Sequence, residues 1–186
     1  MHTPNLRIGA CRNSEAGFSL VEMLIAALVL LVGLTAGMVL IVTAMANNNR
    51  SKMDSTATIL SQTTIETIAA VPANATTNMT IVDCNPSSGS ASHTIYTTGS
   101  SGGAGAPLSS GGSIDFTQST VTGYSMTYYS CQASTGDRQA LYDVRWNIKT
   151  LSTNAKLVTV AAVQTGTITH ANFLAVPVSL KMIVGL

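Results

Sequence analysis

The longest apolar run of the chain lies near its N-terminus, at residues 18–45. Its 28 residues contain a single charged side chain, that of Glu22. As a helix rising about 1.5 Å per residue, the run would be roughly 42 Å long, and the hydrocarbon core of a bilayer is about 30 Å thick. The pattern therefore predicts a membrane-spanning helix with a carboxylate near its N-terminal end.

Residues 46–70 continue the helical pattern without a proline or a glycine. Mostly apolar side chains recur there at steps of three or four, which is the spacing of one helix face. They are Met53, Ala57, Leu60, Thr64, Ile68 and Val71. Polar side chains lie on the opposite face, so we expect a domain to pack on the apolar one. Because Pro72 disfavours helix at the residue before it, we predict one helix over residues 18–70, with a break at residues 47–49 as the alternative.

Strand patterns dominate the rest of the chain. Residues 142–150 alternate strictly between two kinds of side chain, which indicates a half-buried antiparallel strand. One face carries Tyr142, Val144, Trp146 and Ile148, and the other carries Asp143, Arg145, Asn147 and Lys149. Further strands are predicted at residues 80–84, 124–131, 157–163 and 173–183, the last an edge strand because it contains Pro177. The predicted fold is α+β: a long N-terminal helix, apolar in its first half and amphipathic in its second, packed on a small antiparallel β-sheet.

Two features could carry binding chemistry but have simpler interpretations. The glycine-rich stretch at residues 99–112 lacks the Gly-Lys-Ser/Thr ending of a phosphate-binding loop, so we interpret it as a flexible surface loop. Arg145, Lys149 and Lys156 are interpreted as the solvated face of a hairpin. The three histidines are scattered and no CxxC pair is present, so we predict no metal site. No catalytic arrangement or cofactor motif is recognisable, and we predict that the chain is not an enzyme.

Charge is scarce and balanced. Only 9% of the residues are charged and the formal net charge is +1, which gives no electrostatic footprint for nucleic acid. Arg7 and Arg12 precede the apolar run, which favours a cytoplasmic N-terminus, although Arg50 and Lys52 follow it and oppose that bias. A secretory signal peptide is cleaved after its apolar region, whereas the candidate cleavage site of this chain, after Gly17, precedes the apolar run.

Residues 17–22 read Gly-Phe-Ser-Leu-Val-Glu and open the apolar run; they resemble the processing site of type IV pilins and their relatives. The resemblance implies that a prepilin peptidase cleaves between Gly17 and Phe18 and that Phe18 is then N-methylated. It also implies that Glu22 neutralises the amine of a neighbouring subunit during assembly. The implied regions are a leader peptide (1–17), a transmembrane or filament-core helix (18–46), its amphipathic continuation (47–71) and a globular β-rich domain (72–186).

The cysteine count agrees with such processing. Cys11 would leave with the leader, and Cys84 and Cys131 would remain in the domain. Outside the inner membrane an oxidising compartment permits disulfides. We therefore predict a disulfide between Cys84 and Cys131, with two buried thiols as the alternative.

The details of the apolar run favour one branch of this family. Many major pilins carry a proline at the position of Val39, and this chain has Gly33 and Gly37 in a G-x-x-x-G spacing instead. Such glycines either permit close helix packing and local flexibility or are simply tolerated. The departure from major pilins favours a minor pilin or a secretion pseudopilin, and the hairpin around Trp146 resembles that of V-type minor pilins.

We therefore predict a minor subunit of a type IV pilus that is incorporated into the filament or primes it. The protein would cross the inner membrane once, with its N-terminus cytoplasmic and its domain periplasmic, before reaching the pilus at the cell surface. Expected partners are the prepilin peptidase/methyltransferase, other pilin or pseudopilin subunits and inner-membrane lipid. The alternatives are a pseudopilin of a type II secretion system and a membrane-anchored binding domain that never polymerises.

Overall fold

The computed structural model describes residues 17–84, 91–130, 140–165 and 176–185. Within these residues the chain forms one α-helix followed by seven β-strands. They are α1 (Leu20–Ala69), β1 (Met79–Asp83), β2 (Ala91–Ile95), β3 (Ala104–Gly105), β4 (Ser125–Ser130), β5 (Ala140–Ser152), β6 (Ala155–Thr165) and β7 (Val178–Gly185). The structure divides into two compact units, with the boundary between Asn47 and Asn48.

The described part of the first unit is mainly the N-terminal part of α1. Its residues are exposed, except that Gly37 and Ala46 are half-buried. The hydroxyls of Thr35 and Thr43 donate to backbone carbonyls of the preceding turn at 2.9–3.1 Å, so neither hydroxyl needs water as a partner. The helix continues through residues 47–49, and the alternative of a break there was wrong.

The second unit is built on a five-stranded antiparallel sheet. Its strand order is β3-β5-β6-β7, and β4 pairs with a different stretch of β5 from the one that β3 occupies. The register of the β5–β6 hairpin places Trp146 opposite Val160. β1 and β2 form a separate two-stranded antiparallel sheet.

The C-terminal part of α1 packs on one face of the large sheet. The buried residues of the helix are Ala57, Leu60, Ser61, Thr64, Ile65 and Ile68. The apolar ones share a cluster with buried residues of β5 and β6, which are Tyr142, Val144, Trp146, Ile148, Val158, Val160 and Ala162. Trp146 is fully buried, and its Nε1 donates to the carbonyl oxygen of Tyr96 at 3.1 Å. The predicted α+β fold of a long helix on an antiparallel sheet is confirmed.

A buried lysine lies just beyond the C-terminal end of α1. Lys156 is only 1% exposed, and its Nζ donates to the carbonyl oxygen of Val71 at 3.0 Å. Carbonyl groups near a helix C-terminus carry partial negative charge, which favours a cation there. Burial nevertheless lowers the pKa of Lys156. The prediction that this side chain belongs to a solvated hairpin face was therefore wrong.

Arg145 is also buried, on the face of β5 opposite to the helix. It is 7% exposed; its Nε and Nη2 donate to the carboxylate of Asp143, and its Nη1 donates to the carbonyl oxygen of Gln118 at 2.7 Å. The ring of Phe116 lies 4.9 Å from the guanidinium carbon. Of the three cations predicted to be solvated, only Lys149 is exposed. Arg145 is covered by the chain between β3 and β4, whereas Lys156 is buried against the chain that follows α1.

The glycine-rich stretch was predicted to be a flexible loop, but it is paired with β5. The backbone N–H of Ala106 donates to the carbonyl of Trp146 at 2.9 Å, and that of Thr150 donates to Ser100 at 2.8 Å. Gly105 adopts φ = 104°, and a Cβ there would lie 2.5 Å from the carbonyl oxygen of Trp146. The prediction was wrong because glycine here permits an unusual φ and a close backbone approach.

Most strands lie close to their predicted positions. β1, β4, β5 and β6 overlap the predicted segments, whereas β2 and β3 were not predicted. β7 begins at Val178, directly after Pro177, and it is the last strand in the sheet order. Phe173, where the edge strand was predicted to begin, lies outside the described residues.

Candidate functional site at the start of the helix

The residues of the predicted processing site lie at the very start of α1. Gly17, Phe18 and Ser19 precede the helix, which begins at Leu20. The first intrahelical hydrogen bond runs from the N–H of Met23 to the carbonyl oxygen of Ser19 at 3.1 Å. The predicted cleavage site therefore lies in non-helical backbone immediately before the helix.

Glu22 lies in the first turn of α1 and is exposed. The spacing of Ser19 and Glu22 matches the capping box, in which the two residues cap the first turn reciprocally. Within the described residues, however, neither side chain makes a hydrogen bond of that kind. A carboxylate in the first turn still interacts favourably with the helix dipole, by about 0.3–1 kcal/mol. That contribution is available to any acid in the turn and does not require the apolar surroundings of Glu22.

The apolar surface around Glu22 is uncovered. Phe18 is 77% exposed and Leu20 is 81% exposed. In the described part of the chain no cation lies within 4.0 Å of the Glu22 carboxylate, since the ion pairs found there involve other acids. The site thus presents an acid and an apolar surface that the rest of the described chain does not cover.

Gly17 at this site, and Gly33 and Gly37 further along α1, have no packing role within the described chain. A Cβ built at Gly17, Gly33 or Gly37 would meet no atom within 4 Å. A glycine inside a helix costs about 1 kcal/mol relative to alanine, and Gly33 and Gly37 are both inside α1. Contacts within the molecule therefore do not account for glycine at these positions.

The structure also contains a buried polar cluster that the sequence analysis missed. Both oxygens of Asp83 are used: Oδ1 accepts from the N–H of Ala91 at 3.0 Å, and Oδ2 accepts from the N–H of Tyr129 at 2.9 Å. Nε2 of His93 lies 3.0 Å from Oδ2. The sequence signal was an acid at the end of a predicted strand, but its partners could not be identified while β2 was unpredicted.

Opposing effects set the pKa of Asp83. Burial acts to raise it, and the hydrogen bonds from Tyr129, His93 and Ala91 act to lower it. The hydrogen bonds dominate, so the pKa lies below the ordinary value for an aspartate. The carboxylate is therefore charged at neutral pH and holds β1, β2 and β4 together.

Of the two predicted disulfide partners, Cys84 is described by the structure and directly follows Asp83 in the chain. Sγ of Cys84 is 3.5 Å from the carbonyl oxygen of Tyr129, two residues before Cys131 in the chain. Cys131 itself lies outside the described residues. The disulfide between Cys84 and Cys131 therefore stays a prediction.

The comparison with known families bears on the start of the helix. A family model of the prokaryotic N-terminal methylation motif matches residues 12–38, a span that includes Gly17, Phe18 and Glu22. No curated protein and no solved structure matches the chain. The matched motif, together with a long N-terminal helix packed on antiparallel β-sheets, supports a similarity of the chain to the type IV pilin-like family.

Proposed function

We propose that the chain is a minor subunit of a type IV pilus, cleaved between Gly17 and Phe18 and methylated at Phe18. The observation that carries the proposal is the exposed apolar surface of α1, which includes Glu22 and runs to Met45. Such a surface requires lipid before assembly and other subunits after it. The matched methylation motif supports processing at its N-terminal end.

Glu22 is the proposed assembly carboxylate. Cleavage before Phe18 would create an α-amino group on Phe18, four residues before Glu22 in the chain. Between packed helices, the amine of one subunit and the Glu22 carboxylate of the next would pair in a low dielectric. Removing one partner of a buried pair costs about 3–5 kcal/mol because the other charge remains uncompensated.

Two features support a minor subunit rather than a major one. Val39 stands where many major pilins carry a proline, and Gly33 and Gly37 are open on the helix surface. Neither feature separates a minor pilin from a pseudopilin of a type II secretion system. The genes that neighbour this one discriminate between the two.

The proposed topology follows from the same segment. α1 contains one stretch long and apolar enough to cross a membrane. We place the N-terminus in the cytoplasm, the domain in the periplasm, and the assembled subunit at the cell surface. The proposed partners are the prepilin peptidase/methyltransferase, other pilin subunits and inner-membrane lipid.

A periplasmic domain would allow the proposed disulfide to form. Asp83 accepts a hydrogen bond from the N–H of Tyr129, which brings the chain beside Cys84 close to the end of β4. Cys131 follows that strand directly. Mass spectrometry of a non-reduced digest is expected to find the Cys84 and Cys131 peptides linked, and finding both as free thiols in periplasmic protein would contradict the assignment.

Substitution of Glu22 by alanine tests the proposed function. The variant is expected to yield a methylated N-terminal peptide beginning at Phe18 in membranes, yet to be at least tenfold depleted from sheared filaments. Glu66→Ala is the matched control, because Glu66 is an exposed acid in the same helix. It should enter filaments at the wild-type level.

Two outcomes would overturn the proposal. Wild-type levels of Glu22→Ala in filaments would mean that the carboxylate has no assembly role. An intact N-terminal segment, in cells with an active prepilin peptidase, would favour the membrane-anchored domain that does not polymerise.

A further inference from the structure

The apolar run is longer than the membrane that it is proposed to cross. Residues 18–45 would rise about 42 Å as a helix, and at an average tilt of about 20° they would still extend roughly 9 Å beyond a 30 Å hydrocarbon core. About six residues must therefore lie outside the hydrocarbon, at one end or the other. The two ends of the run carry different side chains, so the cost of placing an end in water or in lipid differs between them.

The N-terminal end contains the polar groups. Among residues 18–23 are Ser19 and Glu22, and an acidic side chain in hydrocarbon is unfavourable. Among residues 40–45 the only polar side chain is that of Thr43. Its hydroxyl already donates to the carbonyl oxygens of Val39 and Leu40, so immersing that end leaves no hydroxyl unsatisfied.

Two cations follow the C-terminal end of the run. Arg50 and Lys52 are the fifth and seventh residues after Met45. Both are exposed. Nε of Arg50 lies 3.9 Å from Oδ2 of Asp54, with both side chains about half exposed, which is a weak pair. Lys52 forms no ion pair among the residues that the structure describes. Cations at this position interact with phosphate groups at the membrane surface.

We infer that Arg50 and Lys52 bind lipid headgroup phosphates at the outer face of the membrane and thereby fix the depth of α1 in it. This inference rests on the proposed membrane anchoring. The hydrocarbon would then cover roughly residues 24–45. The bond between Gly17 and Phe18, and the carboxylate of Glu22, would lie in the cytoplasmic headgroup layer, where water and a peptidase reach them.

Three methionines of the run report this depth directly. With the depth fixed at the outer end, Met23 lies in the headgroup layer while Met38 and Met45 lie within the hydrocarbon. With the depth fixed at the inner end, Met23 is immersed and Met45 lies roughly 9 Å outside the hydrocarbon. The two arrangements therefore reverse the relative accessibility of Met23 and Met45 to water.

The test is methionine oxidation in vesicles. The full chain is reconstituted in vesicles of phosphatidylethanolamine and phosphatidylglycerol and exposed to hydroxyl radicals generated on both sides of the membrane. Mass spectrometry is expected to find Met23 oxidised at least fivefold faster than Met45, with Met38 protected. In an Arg50→Gln/Lys52→Gln variant the ratio of Met23 to Met45 oxidation should fall to about one or reverse.

A matched control removes the same charge elsewhere. Lys149→Gln/Lys181→Gln alters two exposed lysines of the sheet and should leave the wild-type ratio unchanged. The inference is overturned if Met45 is oxidised faster than Met23 in the wild type, or if the Arg50/Lys52 variant keeps the wild-type ratio. Either result leaves Met38 protected and the proposed anchoring intact. Equal oxidation of all three methionines would overturn the anchoring as well.

Discussion

At the scale of single residues, Asp83 of β1 links three strands of the second unit, β1, β2 and β4, and no local sequence pattern indicates this role. Its carboxylate accepts backbone N–H groups from the start of β2 and from β4, and it contacts the imidazole of His93. Buried N–H groups that lose their acceptor destabilise the fold by the cost of their desolvation. Asp83 is therefore a residue on which the attachment of the β1–β2 sheet to β4 depends.

Asp83→Asn is expected to lower the free energy of unfolding by about 1.5–3 kcal/mol at pH 7, because hydrogen bonds to a charged acceptor are lost. The pKa of Asp83 is lowered in the folded protein. The additional stability of the wild type is therefore fully present above the pKa of about 3.9 that Asp83 has in the unfolded chain. It is lost as the pH falls through the pKa that Asp83 has in the folded protein. Urea unfolding in detergent micelles at pH 7 and pH 3, followed by Trp146 fluorescence, measures the difference.

The control for this prediction is Asp54→Asn. Asp54 is exposed, and its one ion pair among the described residues is the long surface pair with Arg50, so its substitution should change stability by less than about 1 kcal/mol. An Asp83→Asn variant as stable as the wild type at pH 7 would contradict the proposed role of the carboxylate. A difference in unfolding free energy between the wild type and Asp83→Asn that is the same at pH 3 as at pH 7 would contradict the electrostatic origin of the effect.

At the scale of elements, periodicity predicted the helix and the strands whose side chains repeat at a regular short-range spacing. α1 and the β5–β6 hairpin follow directly from repeats of 3.6 and 2. β3 is two residues long and exists because the backbone at Gly105 approaches β5 closely, which no repeat encodes. β2 reads Ala-Ser-His-Thr-Ile, and its small polar residues give a weak alternation. At the candidate site, Gly17, Phe18 and Glu22 could be identified from sequence because the motif is contiguous.

The charged side of β5 shows the limit of the same reasoning. Alternation assigned Arg145 to solvent, because charged side chains that alternate with apolar ones usually lie on an exposed face. The structure instead places Phe116 and the Gln118 carbonyl against the guanidinium. The segment that covers Arg145 lies about 30 residues away in the chain, so the sequence pattern of a few neighbouring residues cannot indicate it.

The ordered role of the glycine-rich stretch leads to a prediction for Gly105→Ala. A side chain at φ = 104° is strained, and its Cβ would lie 2.5 Å from the carbonyl oxygen of Trp146. The variant is expected to lose at least about 1–3 kcal/mol of unfolding free energy, measured by urea unfolding. Gly102→Ala is the control, since a Cβ there meets no atom within 4 Å. Equal stability of the two variants would mean that the stretch is a flexible loop after all.

At the scale of the whole molecule, apolar surface is divided unequally between the two units. The first unit exposes nearly all of its apolar side chains in the described residues, whereas every residue of the main buried cluster comes from position 57 or later. The first unit is thus suited to lipid or to other subunits, and the second has a core of its own. Low net charge over the whole chain limits electrostatic repulsion between copies.

This division predicts that a chain beginning at Asn48 folds without the first unit. It retains the helix residues 57–68 that face the sheet and the fully buried Trp146. Its thermal midpoint is expected to lie within about 5 °C of that of the full chain in detergent, a shift equivalent to roughly 1 kcal/mol. Near-ultraviolet circular dichroism reports the environment of Trp146, and sedimentation without detergent reports the oligomeric state. A shortened chain that is monomeric and keeps the dichroism of the full chain would confirm that the first unit serves contacts outside the molecule. Loss of that signal would mean that the first unit is needed to complete the fold, and that its exposure is not reserved for lipid and neighbouring subunits.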